Sequence, residues 1–159
     1  MTFYTYYQSP LGRLTIQACN QGILGAWFEQ QTTQPQELGI EDAQHPILRQ
    51  AITEYQAYFA GELTEFSVPL AAEGTDFQQK IWRALTDIPY GKTCCYQDLA
   101  DSIANPKAVR AVGMANGKNP ISIIVPCHRV IGKNGTLTGY AGGIKIKAAL
   151  LQLEAENKA

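Results

Sequence analysis

Three segments within the first 28 residues have the apolar and aromatic composition of short β-strands. The segments FYTYYQ (3–8), RLTIQAC (13–19) and ILGAWF (23–28) are rich in β-branched and aromatic residues. The sequences SPLG and NQG separate them, and both are typical of tight turns. The pattern therefore predicts an antiparallel meander. Residues 30–45 are polar and acidic, which predicts a surface loop.

Helical periodicity dominates the rest of the chain. Apolar residues recur at helical spacing over 46–60, and EFSVPL (65–70) follows as either a strand or an extended linker. Thr75 and Gln78 have the sequence of a capping box, which predicts that a helix begins there. Two short helices and a final longer one are predicted over 96–104, 107–116 and 144–158. The two short helices have the outline of a helix-turn-helix, although any two packed helices would give a similar pattern.

Charge is distributed unevenly, and its change of sign favours a division of the chain near Gly74. Residues 1–74 carry two basic and eight acidic residues, a formal charge of −6, whereas residues 75–159 carry +5. No acidic residue occurs from Ser102 to Leu153. Such a stretch favours a polyanionic partner, or a basic face that balances the acidic half within the molecule. We expect one domain over 1–74 and a second over 75–159.

Composition argues against several classes of protein. No apolar run approaches the roughly 18–20 residues of a membrane span, and the N-terminus lacks the basic and apolar regions of a signal peptide. The cysteines at 19, 94, 95 and 127 lack the paired spacing of a structural zinc site. We therefore expect a cytoplasmic protein with no membrane association, metal or cofactor.

The segment KAVRAVGMANGKN (107–119), which contains the helix predicted over 107–116, has an unusual composition. Small residues dominate it, and Arg110 is the conspicuous long polar side chain near its centre. A helix that reads base edges usually presents several Arg, Gln, Asn or Ser side chains. Small residues instead permit close, sequence-independent contact with a DNA groove. They equally suit a helix that is buried in a core.

A candidate nucleophile follows the apolar segment IIVP, where Cys127, His128 and Arg129 are consecutive. A cysteine becomes reactive when a base or a positive charge favours its thiolate. His128 can be that base, acting through water because sequence neighbours rarely point the same way. Glu154 shares a helix face with Lys147 and can orient His128. The alternatives are a buried structural cysteine and a solvated glutamate near the C-terminus.

Two segments carry a resemblance to a known family, VPCHRVIGKNGTLTGYAGG (125–143) and NPKAVRAVGMANGKNP (105–120). They resemble the active-site signature of the O6-alkylguanine-DNA alkyltransferases, also called methylated-DNA–protein-cysteine methyltransferases. The similarity is unbroken from Thr75 to Glu154, and its Pro-Cys-His-Arg core is highly specific. Residues 1–74 match in outline only. The resemblance implies an α+β protein of the short, single-function bacterial type. Its ribonuclease-H-like domain, an antiparallel sheet plus a helix, would precede a mainly helical winged-helix or helix-turn-helix domain.

The resemblance also implies an activity. Such proteins bind double-stranded DNA in the minor groove, flip out an alkylated base and transfer its alkyl group irreversibly to their own cysteine. The lesions are O6-alkylguanine and O4-alkylthymine, and each molecule acts once. By this match Cys127 is the acceptor, His128 takes its proton, and Glu154 orients His128. Tyr96 assists the departing guanine, and Asn119 braces the active-site turns.

The DNA contacts and the base pocket are implied by the same match. Arg110 fills the space that the flipped base leaves in the stack. The small residues Ala108 and Ala111 let the helix lie in the groove, and Lys107 and Arg129 are further DNA contacts. The pocket is assigned to Val130, Tyr140, Ala141 and Lys147. The resemblance implies a protein that is monomeric in solution.

Two positions depart from the family pattern, and both bear on the size of the alkyl group accepted. Ser122 stands where many relatives have proline, and Thr138 stands where vertebrate forms have glycine.

Two other functions fit some of the residues. An alkyltransferase-like binding module would lack the acceptor cysteine, so Cys127 argues against it. A Cys-His hydrolase would need an oxyanion hole and gives no reason for the acid-free stretch.

Overall fold

The computed structural model describes residues 1–137, 140 and 143–157, which form two compact units. The first unit comprises Met1–Glu73 together with Pro120–Ser122, and the second comprises Gly74–Asn119 and the described residues from Ile123 onward. The predicted α+β class is confirmed, since the first unit contains a sheet and the second is mainly helical. Within the described ranges, no helix has both the length and the apolar character that crossing a membrane requires.

The sheet of the first unit contains strands β1 (Phe3–Ser9), β2 (Gly12–Cys19), β3 (Gly22–Phe28) and β4 (Ile40–Glu41), in the order β3-β2-β1-β4. The first three strands pair antiparallel, as predicted from the short turns between them. The prediction of an uninterrupted loop over 30–45 is wrong, because β4 pairs in parallel with β1. Two exposed residues give no periodic signal, so the pairing alone defines this strand.

Helix α1 (Pro46–Phe59) begins and ends close to the residues that its sequence indicates. The ring of His45 caps it, because Nδ1 accepts a hydrogen bond from the backbone N–H of Ile47 at 3.3 Å. Pro46 suits the first helical position, where a missing N–H costs no intrahelical bond. The helix packs against the sheet through a buried face of Leu48, Ala51, Tyr55 and Tyr58.

The segment EFSVPL, for which a strand and a linker are equally predicted, ends in a short bridge to β3. Ile23 donates its N–H to the carbonyl of Pro69 at 2.8 Å and accepts from the N–H of Ala71 at 2.7 Å. Gly22 is needed beside this bridge, because a Cβ there would lie 2.7 Å from the Pro69 oxygen. A larger residue at position 22 would push the two backbones apart.

Pro120–Ser122 is the point at which the structure differs from the predicted domain division. The N–H of Ala26 donates to the carbonyl of Pro120 at 2.8 Å, and the N–H of Ser122 donates to the carbonyl of Ala26 at 3.1 Å. The Tyr55 hydroxyl donates to the Ser122 carbonyl at 2.8 Å. The chain therefore returns to the first unit shortly before Cys127. Local sequence patterns carry no signal for a pairing between residues so far apart.

The helices of the second unit agree with those predicted to within a few residues. The capping box is present, since Thr75 Oγ1 accepts from the Gln78 N–H at 3.1 Å and Gln78 Oε1 accepts from the Thr75 N–H at 3.0 Å. It opens the first of four helices: α2 (Asp76–Thr86), α3 (Tyr96–Ser102), α4 (Val109–Gly117) and α5 (Ile144–Asn157).

Helices α2 and α5 both pack against the turn that begins at Cys127. Helices α3 and α4 pack on each other, and the indole N–H of Trp82 on α2 donates to the Ala115 carbonyl on α4 at 2.9 Å. A two-residue parallel ladder joins β5 (Cys94–Cys95) to β6 (Val130–Ile131). The sequence does not predict this ladder, which ties the start of α3 to the residues after Cys127.

Candidate active site

Cys127 begins a single 3-10 turn at the end of a buried apolar run. Ile123 in this run has a φ of 74°, a left-handed conformation that β-branched residues rarely adopt, so the chain direction changes sharply there. The carbonyl of Val125 accepts two hydrogen bonds at 2.8 Å, one from Asn119 Nδ2 and one from the Cys127 N–H. Asn119 therefore holds the backbone that presents the thiol.

His128 and Glu154 form a buried pair beside the cysteine. Nε2 of His128 lies 2.6 Å from Oε2 of Glu154, and both side chains are at most 1% exposed. Burial opposes ionisation of Glu154, but hydrogen bonds and charges from His128 and Arg129 outweigh it and lower its pKa to about 2. The carboxylate is thus ionised at neutral pH, and Nε2 of the imidazole carries the proton that it accepts.

The other ring nitrogen of His128 is the atom that can act as a base. Nδ1 is buried and has no hydrogen-bond partner among the residues that the structure describes. Burial lowers the pKa of His128, although Glu154 opposes this shift. A neutral imidazole with its proton on Nε2 leaves the Nδ1 lone pair available to accept a proton.

The thiol of Cys127 is protonated at rest. Burial raises its pKa to about 11, although a hydrogen bond from Asn119 and the positive charge of Lys147 act in the opposite direction. At pH 7 a pKa of about 11 leaves roughly one thiol in 10⁴ ionised. A nucleophilic role for this sulfur therefore requires a base, and His128 is its neighbour in the same turn.

Arg129 occupies a different place from the one that the family match implied. Only 6% of the residue is exposed, and its guanidinium donates to both carboxylate oxygens of Glu154, at 2.8 and 3.1 Å. A further N–H donates to the carbonyl of Ile88 at 2.7 Å. The assignment of Arg129 as a DNA contact is therefore corrected, since its donors are used inside the protein.

Lys147 is a second buried cation at this site. Its side chain is fully buried, and its ammonium group donates to the carbonyl of Val130. Burial lowers the pKa of Lys147, while proximity to Cys127 opposes the shift. The bond to Val130 connects α5 to β6, so Lys147 both supports the backbone after the cysteine and places positive charge near the sulfur.

The structure describes some of the other residues predicted to contact the base, and others lie outside the described ranges. Tyr96 is half-buried at the start of α3, and its ring lies about 4 Å from where a side chain on Gly113 of α4 would begin. Tyr140 is buried. Ala141, predicted to contact the base, and Thr138 both lie outside the described residues.

Helix α4 is neither fully buried nor fully exposed. Val112 and Ala115 face the interior, whereas Arg110, Ala111 and Met114 are exposed. Lys107, just before the helix, is also exposed, and Ala108 is half-buried. The helix thus presents a surface of small residues with long side chains at Arg110 and Met114, which is a shape that a nucleic-acid groove can receive.

The sequence does not identify the segment IPYG (88–91) as part of this site. In the structure it supports the carboxylate, because the N–H of Gly91 donates to Oε1 of Glu154 at 3.3 Å. The guanidinium of Arg129 lies 5.6 Å from the ring centre of Tyr90. A turn-forming sequence between two helices was the available signal, and it predicted a helix end rather than a functional contact.

The buried thiol, imidazole and carboxylate of Cys127, His128 and Glu154 support nucleophilic chemistry at this site. No group of three or more His, Cys, Asp or Glu side chains in the described ranges is arranged to hold a metal ion. All four cysteines are free thiols, and Cys127 is the buried one.

Comparisons with known proteins match both halves of the chain. Models of the 6-O-methylguanine DNA methyltransferase ribonuclease-like and DNA binding domains match residues 2–72 and 76–156, respectively. A methylated-DNA–protein-cysteine methyltransferase of Mycobacterium bovis is 50% identical over 154 residues, covering 97% of this chain and 93% of the relative.

Two solved structures are similar over nearly the whole chain. The structure of Mycobacterium tuberculosis O6-methylguanine methyltransferase has a TM-score of 0.91 at 49% identity, covering 100% of this chain and 96% of that one. The structure of Mycobacterium tuberculosis OGT in complex with DNA has a TM-score of 0.89 at 50% identity, covering 98% and 94%.

Proposed function

Because the chain belongs to the 6-O-methylguanine DNA methyltransferase family, we propose that it repairs DNA by transferring the alkyl group of O6-alkylguanine to its own Cys127. The observation that carries the proposal is the buried arrangement of Cys127, His128 and Glu154, with Nδ1 of the imidazole available as a proton acceptor. O4-alkylthymine is included as a second substrate by the same family argument.

The proposed transfer is a displacement at the alkyl carbon. The thiol proton passes through a water molecule to Nδ1 of His128, and the sulfur attacks the carbon. A carbon–sulfur bond forms while the carbon–O6 bond breaks, and the electron pair of that bond stays on the base. The base takes up one proton from solvent and becomes unmodified guanine, and His128 returns the thiol proton to solvent, so that atoms and charges balance. We assign the hydroxyl of Tyr96 to hydrogen-bond the base as this negative charge develops.

The supporting residues explain why a buried thiol can react. Burial raises the pKa of the Cys127 thiol to about 11, so the reaction needs a base, and positioned general bases typically contribute 10²–10⁴-fold in rate. Glu154 holds the imidazole in the tautomer that leaves Nδ1 free. Asn119 fixes the turn, and Lys147 stabilises the developing thiolate.

We propose that α4 enters the minor groove of alkylated duplex DNA. The exposed Arg110 enters the stack as the damaged base leaves it, and the small Ala108 and Ala111 let the backbone approach the groove. Lys107 contributes a phosphate contact. Sequence-independent contacts suit a protein that must act at any alkylated guanine. The base then lies against Val130, Tyr140 and Ala141.

The reaction consumes the protein. A thioether is chemically stable, so each chain is expected to react once. Monomeric behaviour and a cytoplasmic location stay predictions.

The test is intact-mass analysis after incubation with excess duplex that contains O6-methylguanine. The expected result is the mass of one methyl group per chain, mapped by peptide analysis to Cys127. Cys127→Ser should bind the duplex without gaining mass, because a hydroxyl is a far poorer nucleophile. Cys94→Ser is the matched control and should still be methylated. Repeated turnover, or methyl on another cysteine of the wild type, would overturn the proposal.

A further inference from the structure

The carboxylate of Glu154 is held by more donors than a histidine-orienting acid requires. Oε2 accepts from His128 at 2.6 Å and from Arg129 at 3.1 Å, and Oε1 accepts from Arg129 at 2.8 Å. The N–H of Gly91 adds a bond to Oε1 at 3.3 Å. The two-pronged guanidinium contact fixes the plane of the carboxylate as well as its position.

Arg129 is itself immobilised at the other end of its guanidinium. One N–H donates to the carbonyl of Ile88 at 2.7 Å, and the ring of Tyr90 lies beside the group. Because Arg129 follows His128 directly in the chain, the same turn carries both the base and the cation that shares its acid. The residue is 6% exposed, so its charge is little screened by solvent.

We propose that Arg129 is a positioning residue for alkyl transfer, which locks Glu154 and prevents that carboxylate from converting His128 into an imidazolium ion. The inference rests on the proposed function. A lone buried carboxylate would form an ion pair with a protonated His128, and a protonated ring cannot accept the thiol proton. The fixed charge of Arg129 already neutralises Glu154, so the neutral imidazole is favoured.

The charged and titratable groups around His128 are consistent with a neutral imidazole. Glu154 and Lys147 face it from α5, and Cys127 and Arg129 belong to its own turn. Helix α2 also packs against the turn, and its buried residues are the apolar or aromatic Ile81, Trp82 and Leu85. Of the charges, Glu154 favours the imidazolium ion, whereas Arg129 and Lys147 disfavour it.

The main experiment measures the single-turnover transfer rate against pH for wild type, Arg129→Gln and Lys133→Gln. Lys133 is an exposed residue of the same basic stretch, so its substitution removes one positive charge without touching the site. Arg129→Gln should move the acid limb of the profile to higher pH by about one unit, a roughly tenfold loss of rate on that limb. Lys133→Gln should leave the profile unchanged. An unshifted acid limb in Arg129→Gln would overturn the proposal.

Binding of unmodified duplex separates this role from a DNA contact. Arg129→Gln should retain the wild-type affinity within about twofold, whereas loss of a phosphate contact would also lower the salt dependence of binding. A loss of affinity as large as the loss of rate would contradict the positioning role.

Two further measurements do not depend on the folding of Arg129→Gln. Arg129→Lys keeps the charge but loses the two-pronged contact, so it should lower the maximal rate several-fold with a smaller shift of the acid limb. In wild type, nitrogen chemical shifts should show His128 neutral at pH 7 with its proton on Nε2. A wild-type rate in Arg129→Lys, or a charged His128 at pH 7, would refute the inference. A wild type that takes no methyl group would instead refute the proposed function.

Discussion

Replacing Glu154 by glutamine tests the buried pair most directly, because it changes charge with almost no change in volume. Glu154 accepts hydrogen bonds from His128, Arg129 and Gly91. A glutamine amide has one oxygen and one NH₂ group. The NH₂ group would replace one carboxylate oxygen and face the N–H donors that this oxygen now accepts from. The substitution also leaves the charge of Arg129 buried without its partner.

The cost in stability follows from that unpaired charge. Breaking a buried ion pair by removing one partner typically costs about 3–5 kcal/mol, against a total stability of about 5–15 kcal/mol for a domain. We expect Glu154→Gln to lower the free energy of unfolding by about 3 kcal/mol while the protein remains folded. Glu156 is an exposed acid two residues further along α5, and Glu156→Gln should change stability by about 0.5 kcal/mol or less.

The effect on transfer has a separate cause. The NH₂ group of the glutamine can donate to Nε2 of His128, which favours the tautomer with its proton on Nδ1 and removes the base. The single-turnover rate should fall about 10²-fold or more. Urea unfolding at pH 7 and quenched-flow transfer from a methylated duplex measure the two effects. Equal behaviour of Glu154→Gln and Glu156→Gln in either assay would show that the carboxylate is not acting as argued.

Two other predictions concern DNA and acid. Arg110→Ala should slow repair far more than it weakens binding to unmodified duplex, because one cation contributes at most about one counterion to the salt dependence of binding. Lys107→Ala should mainly weaken binding. Equal losses of rate and affinity in Arg110→Ala would exclude the stacking role. Stability should fall as pH drops below about 6.5, because the unfolded chain binds a proton that the buried His128, with its lowered pKa, does not. Stability should decline again between pH about 4.5 and about 2, because Glu154 is protonated in the unfolded chain at a higher pH than in the folded protein. Urea midpoints that stay constant from pH about 6.5 to about 2 would contradict both assignments.

Local sequence patterns determined most of the secondary structure. A composition rich in β-branched and aromatic residues, with turn sequences between the segments, predicted β1, β2 and β3. The capping box at Thr75 and Gln78 predicted the start of α2. Both signals depend on residues within a few positions of one another. The Pro-Cys-His-Arg segment likewise identified the candidate nucleophile and its base, since both belong to one turn of the chain. Helical spacing placed Glu154 on the same face as Lys147, and both are buried.

The tertiary structure decided what these residues contact. Arg129 was assigned to DNA by its position in a motif, yet packing turns its guanidinium inward to Glu154 and Ile88. The strand β4 and the return of Pro120–Ser122 to the first unit depend on partners that lie far away in sequence. Hydrogen bonds to such distant groups leave no periodic trace, because periodicity records which face of an element is buried and not which residue covers it.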